Sequence, residues 1–275
     1  MTARPNLRQE ATEARLAGLW RPEGGGWIEA ARGSALARLR AMGLPQRRDE
    51  YWRFTDPGSL IAPGAPAAEP AADRGGPAFA GVEALRLVFV DGRLDPDASD
   101  PLVLDGVEVE PLAEAAGRDL HWARALYGAL EAGGQAPVPR PLAALNTAFA
   151  AEGVLIRVAG TPPRPVHLVY RHASPSADAL LHHVVRLEPG ASLTLLESGP
   201  AAARLNAVLE VDLGEGASFH HVRMQGHDPA RREVTHLFAR VAARADFRSF
   251  TLTFDGALTR NEAFLTLTGD EAVAH

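Results

Sequence analysis

The chain has 275 residues, 46% hydrophobic and 23% charged, the composition of a globular protein with room for one large domain or two small ones. Its net charge of −6 gives no general basic field for nucleic acid or anionic lipid. It contains no cysteine, which excludes disulfides, thiolate nucleophiles and an all-thiolate metal or iron–sulfur site made by these residues alone. Absence of cysteine also fits a cytoplasmic location, and no run approaches the roughly 20 apolar residues that span a bilayer.

In chain order, residues 6–20 and 27–42 read as helices. Trp27, Ile28, Ala31, Ala35, Leu39 and Met42 form one apolar stripe that Gly43 and Pro45 close. Arg32, Arg38 and Arg40 fall mostly off that stripe and are expected in solvent. So are the pairs Arg47-Arg48 and Arg231-Arg232. Residues 1–56 thus make an N-terminal helical region. The Pro/Ala/Gly-rich stretch 57–78 reads as a linker or extended arm. Residues 79–150 form a mixed connecting region, with a strand at Leu85–Val90 ending in the turn Asp91-Gly92. A helix capped by Asp119 would carry Trp122, Leu126 and Leu130 as far as Gly133-Gly134. Another would begin at Pro141 and carry Leu142, Leu145 and Phe149. From Gly153 the period changes to alternation, so 151–275 reads as strands and turns.

That C-terminal part repeats. LEPGASL (187–193), LGEGASF (213–219), VAARADF (241–247) and, more loosely, LTGDEAV (267–273) follow at offsets of 26, 28 and 26 residues. The columns are Leu187/Leu213/Val241/Leu267 and Leu193/Phe219/Phe247/Val273, with Ala191, Ala217 and Ala245 between them in the first three copies. Gly190 and Gly216 would supply sharp turns. The pattern predicts a β-solenoid with inward ladders spaced about 4.8 Å apart, in preference to a sandwich of similar hairpins. The fourth copy runs to His275 with no capping segment, so the sequence reads as C-terminally incomplete, or as covered at its open coil by another polypeptide.

Histidine is the one clustered residue type with metal or acid–base chemistry: His182-His183, His220-His221, His227 and His236. Adjacent strand residues face opposite ways, so each pair offers one ligand at most to a given face. His220 and His221 are weak metal candidates, and a partly exposed sheet surface is the expected setting for all of them. A cupin-type metal motif beginning at Gly214 fails, because Val222 stands where its second histidine belongs. No phosphate loop, HExxH helix or GxSxG elbow is present, and Gly24-Gly25-Gly26 follows no strand. Arg260-Asn261-Glu262 reads as turn chemistry with some capacity for an anion.

Four segments together resemble the SufB/SufD family of iron–sulfur cluster assembly scaffolds. LPQRRDEYWRFTD (44–56) is similar to that family's N-terminal signature through Leu44, Pro45, Arg48, Glu50, Trp52, Arg53 and Thr55. VFVDGRL (88–94), PLAALNTAFAAEGVLIRVAG (141–160) and residues 235–272, including the Arg260-Asn261 step, resemble later parts of the family. The cysteine-free chain and its N-terminal region look SufD-like. The resemblance implies a mainly β chain with a right-handed parallel β-helix behind a helical N-terminal region. It implies a non-catalytic scaffold with no catalytic residue and no cofactor of its own, working in the SUF complex with a SufB-type subunit and a SufC-type ABC ATPase, and with neither nucleic acid nor membrane as partner. The iron–sulfur cluster would arise only in that complex. Family members carry further coils, a helical domain that contacts the ATPase, and a histidine-containing assembly segment, none of which falls within these residues. The competing reading is a metal-dependent or carbohydrate-active β-helix enzyme.

Overall fold

The computed structural model describes residues 7–70, 78–226 and 228–275. The chain is mainly β. Its helical N-terminal region, α1 (Leu7–Ala17) and α2 (Gly26–Met42), precedes a parallel β-solenoid of about four turns. Between them lie α3 (Gly58–Ile61), β1 (Leu85–Val90), β2 (Arg93–Asp95), β3 (Val107–Pro111), α4 (Leu112–Ala115), α5 (Ala129–Gly133) and α6 (Pro141–Phe149). The strands that follow are β4 (Val154–Val158), β5 (Val166–Arg171), β6 (Asp178–Leu187), β7 (Ser192–Ser198) and β8 (Arg204–Leu213). They continue as β9 (Ser218–Gln225), β10 (Arg232–Val241), β11 (Asp246–Thr253), β12 (Leu258–Leu267) and β13 (Val273–Ala274).

Alternate strands wind into two sheets, ordered β2-β1-β5-β7-β9-β11-β13 and β3-β4-β6-β8-β10-β12. From β4 and β5 onward all pairings are parallel; β2 and β3 add antiparallel edges at the start. The two sheets differ in burial for a simple reason. Helices α2, α5 and α6 cover the outer face of the second sheet, so β8 and β10 are buried on both faces at almost every position, their polar residues included. The outer face of the first sheet meets solvent at β9, which alternates residue by residue.

The repeat columns stack as the sequence indicates, with one exception. Leu187, Leu213, Val241 and Leu267 are successive register partners, and so are Leu193, Phe219 and Phe247. In the last copy, however, Phe247 faces Ala274, and Val273 sits beside Asp246 with 41% of its surface exposed. The fourth turn holds one residue more than its sequence alignment with the third allows. The left-handed turn position shows how: it passes from Gly190 (φ 74°) and Gly216 (φ 67°) to Arg244 (φ 56°) and Glu271 (φ 59°), and only the first two are glycine.

Other expectations change on contact with tertiary structure. The helix expected from Asp119 is broken by Gly128 at φ 71° into a 3-10 turn, Trp122–Ala125, and α5; its cap is His121, which accepts the Ala123 N–H. Arg32 is wholly buried and donates to the Ala150 carbonyl (2.9 Å), which trims the last turn of α6. Arg231 is likewise buried, against Glu233. Residues 57–70 are not a free connector. Leu60 is buried, the Ala68 N–H donates to the Pro175 carbonyl, and Arg204 donates to the carbonyls of Ser59 and Ala62. Arg15 reaches Pro63 in the same way, and both guanidiniums clasp Asp178 (2.8 and 2.6 Å). The rest of the expected linker (71–77), the start of the first helix at residue 6, and His227 lie outside the described residues.

Truncating an interior rung tests the register. Leu213→Ala is expected to cost about 2–5 kcal/mol in urea denaturation, because the ladder above and below cannot collapse into the gap. Val273→Ala, which the sequence alignment would have placed inside, should cost under about 0.5 kcal/mol.

Candidate functional site

The lumen of the solenoid changes character along its strands. At one end it is lined by Leu187, Leu193, Leu213, Phe219, Val241 and Phe247. At the other end the inward positions of β5, β6, β7, β9 and β10 are Tyr170, His183, Glu197, His221, Arg223, Gln225 and Glu233, all buried. Parallel register brings them together, since Leu195 lies beside His221 and Glu197 beside Arg223.

Glu197 is the hub. Its Oε1 accepts from Arg223 (2.5 Å) and from His221 Nε2 (2.7 Å), and its Oε2 accepts from the Tyr170 hydroxyl (2.7 Å). His183 Nδ1 accepts the Val154 N–H (3.2 Å), which leaves the proton on Nε2 to be donated to the Tyr170 oxygen (3.2 Å). His221 Nδ1 in turn accepts from the Ser249 hydroxyl (2.9 Å). Both rings are therefore satisfied as neutral imidazoles around an ionised carboxylate. Burial pushes the Glu197 carboxyl up, yet the Arg223 charge and the His221 hydrogen bond outweigh it and hold it well below the carboxylate range. Burial drives His183 down to about 4 and lowers His221 against the pull of Glu197. Burial, then the Glu197 charge, raises Tyr170 well above an ordinary phenol. The network continues toward β12. Gln225 donates to Glu233 (2.6 Å), Arg231 Nε pairs with Glu233 (3.1 Å), and the Gln225 and Asn261 amides bond reciprocally (3.1 and 3.0 Å). Two carboxylates thus meet two guanidiniums inside the solenoid, and the polar groups of the hub satisfy one another.

The sequence signature falls on a second, outer constellation. Leu44 and Pro45 are buried, and the Leu44 N–H donates to Thr12 Oγ1 (2.9 Å). Arg48, Glu50 and Arg53 are exposed and Thr55 is half-buried. Trp52 is buried, with the Arg260 guanidinium 4.1 Å from its ring centroid. Arg260 Nε also pairs with Glu262 (2.5 Å), to which Arg140 (3.2 Å) and His236 (3.5 Å) converge. Burial raises the Glu262 carboxyl, but the His236 contact and the Arg260 charge overcome it and bring it to about 2. Arg260-Asn261-Glu262 is therefore mid-strand in β12 and not a turn. Arg260 faces the N-terminal signature and Asn261 faces the lumen.

The histidine pairs divide between faces. His221 and His183 point into the lumen, whereas His182 lies under the helices, between Glu210 (2.9 Å) and Asn146 (3.0 Å), and His220 is half-exposed, 3.5 Å from Ser218 Oγ. The partly exposed setting expected for them holds for His220 alone; His182, His183, His221 and His236 are buried.

One grouping was not anticipated: Glu108, Glu110 and His121 bring ligand atoms within 4.8 Å of one another. His121 Nδ1 accepts the Ala123 N–H (3.1 Å), which fixes a proton on Nε2, directed at Glu110 (3.1 Å), and Arg118 already pairs with Glu110 (2.5 Å). The histidine is thus turned to donate to the acid and not to offer it a lone-pair neighbour, and an arginine shares the same carboxylate, so the grouping is bound up as an ion-paired cluster. The alternation Glu108-Val109-Glu110 on β3 carried the signal that two acids share a face.

Residues 170–275 match the family model described as SUF system FeS cluster assembly, SufBD core domain. A search of curated proteins gives no match. No helix among the described residues is long and apolar enough to cross a membrane.

Two measurements check these constellations. Below about pH 6.5 an unfolded chain takes up a proton that folded His183 refuses until about pH 4, so acidification favours unfolding. His183 should account for a loss of roughly 3 kcal/mol between pH 7 and 4, and urea midpoints of His183→Gln should fall less steeply over that range. A double-mutant cycle with Trp52→Leu and Arg260→Met is expected to show coupling of about 0.5–2 kcal/mol.

Proposed function

We propose that the protein is a SufD-like, non-catalytic scaffold subunit of the SUF system that pairs with a SufB-type subunit and a SufC-type ABC ATPase. The observation that carries this reading is the family match over residues 170–275, the stretch that supplies most of the solenoid's strands and most of its polar lumen. The N-terminal signature lies outside the matched stretch and yet docks into it through Trp52 and Arg260, so the resemblance at both ends of the chain converges on one contact.

Chemistry favours a supporting role. An iron–sulfur cluster is held mainly by thiolates, and these residues contain none. The cluster is then the cargo of the complex, with its sulfur ligands supplied by the SufB-type partner. His182, His183 and His221 are occupied by internal partners, and the hub around Glu197 spends its groups on one another. The same features disfavour a metal-dependent or carbohydrate-active β-helix enzyme, which needs acids or histidines arrayed along an open face.

Tagged full-length protein, co-expressed with a SufB-type subunit and a SufC-type ATPase, is expected to recover both through size exclusion, and the protein purified alone should hold no stoichiometric metal by elemental analysis. Recovery of neither partner would sink the scaffold reading. One tightly held metal per chain would revive the enzyme.

A further inference from the structure

The signature segment has a second side that the contact with Arg260 leaves unused. It is held firmly from within: the Gln46 N–H donates to Asp49 Oδ2 (2.9 Å), Asp49 pairs with Arg8 (2.5 Å), Trp52 is buried, and the Gly58 N–H donates to Asp56 (2.9 Å). A single 3-10 turn, Glu50–Trp52, then throws the flanking side chains outward. Phe54 is 94% exposed and Tyr51 56% exposed. Arg47, Arg48 and Arg53 are exposed and make no ion pair or side-chain hydrogen bond among the described residues; Arg53 lies 5.5 Å from the Phe54 ring.

We infer that Arg47, Arg48, Tyr51, Arg53 and Phe54 form a docking surface for an acidic peptide segment of a partner protein that also carries apolar side chains. Arg, Tyr and Phe are the residue types enriched where protein interfaces take their energy, and an aromatic ring left almost wholly in water is an anchor awaiting a pocket. The surface is pre-organised, so binding costs little ordering of the backbone. Charge selects the occupant. Asp49 is neutralised by Arg8, so Glu50 and Asp56 stand against three exposed guanidiniums, and the balance of the patch is positive, with the guanidiniums able to fork onto carboxylates. An overall charge of −6 argues against a polyanion that would have to lie along more of the chain, such as nucleic acid or a lipid surface. The surface stands outside residues 170–275 and does not depend on the scaffold reading.

Fluorescence anisotropy with the full chain tests this directly. The probe is a labelled eight-residue peptide alternating Glu and Leu, alongside its Gln-for-Glu counterpart. The Glu peptide is expected to bind at least about tenfold tighter than the Gln peptide, and to weaken as salt is raised. Arg47→Glu/Arg48→Glu and, separately, Phe54→Ala should each reduce binding about tenfold with the melting temperature unchanged, because all three side chains are solvated. Equal binding by wild type and both variants overturns the proposal, as does indifference between the two peptides. Tighter capture of phosphatidylglycerol vesicles or single-stranded oligodeoxythymidylate than of the Glu peptide overturns it equally.

Discussion

Parallel strand register governs this molecule. Each residue of a coil is hydrogen-bonded beside its equivalent in the next, so a side chain's neighbours are chosen by the coil above and the coil below. Aliphatic stacks follow where the repeat keeps leucine, valine and phenylalanine in phase. Once the inward positions at the other strand ends became Glu197, His221 and Arg223, the same register obliged them to solve their desolvation jointly. A lone Glu197 in that tube would be prohibitive; between Arg223, His221 and Tyr170 it is the centre of a closed hydrogen-bonded set.

The helical N-terminal region depends on the same geometry. Helix α6 packs across β6 and β8, where Asn146 donates to the carbonyls of Leu181 and Asn206 and so replaces bonds that a sheet face does not offer. Helix α2 lies on α6, and Arg32 closes its end. Residues 57–70 then run back along the coils, clasped by Arg15 and Arg204 on either side of Asp178. The buried arginines of this chain act mainly as collectors of backbone carbonyls, a use for which a planar fork of five donors is suited.

Period and turn chemistry made much of this legible beforehand. The switch from helix to strand near Gly153, the 26–28-residue repeat, the opposite facing of adjacent histidines, and the helix begun by Pro141 all follow from local rules. What local rules could not supply was burial set by distant segments. Arg32 and Arg231 look like solvated charges until Ala150 and Glu233 are brought to them, and the stretch after Pro57 looks like a linker until Arg204 holds it. The extra residue in the fourth turn escaped because LTGDEAV aligns in sequence as though its turn were no longer than the third. Trp52 and Arg260 were each prominent in the sequence, but nothing in the 207 intervening positions announced that they meet.

The step Arg260-Asn261 carries a consequence for how the fourth coil is laid down. Slide β12 by a single position against β10 and the guanidinium would lose the indole face and Glu262, while the amide would lose its paired bonds to Gln225 and face an indole it cannot complement. Val234, Thr235 and His236 on the preceding strand leave no compensating choice, because their neighbours would be inverted together. Two adjacent side chains of opposite appetite therefore act as a key that admits one alignment of the strand, so the N-terminal tryptophan helps to proofread the winding of a coil some two hundred residues downstream.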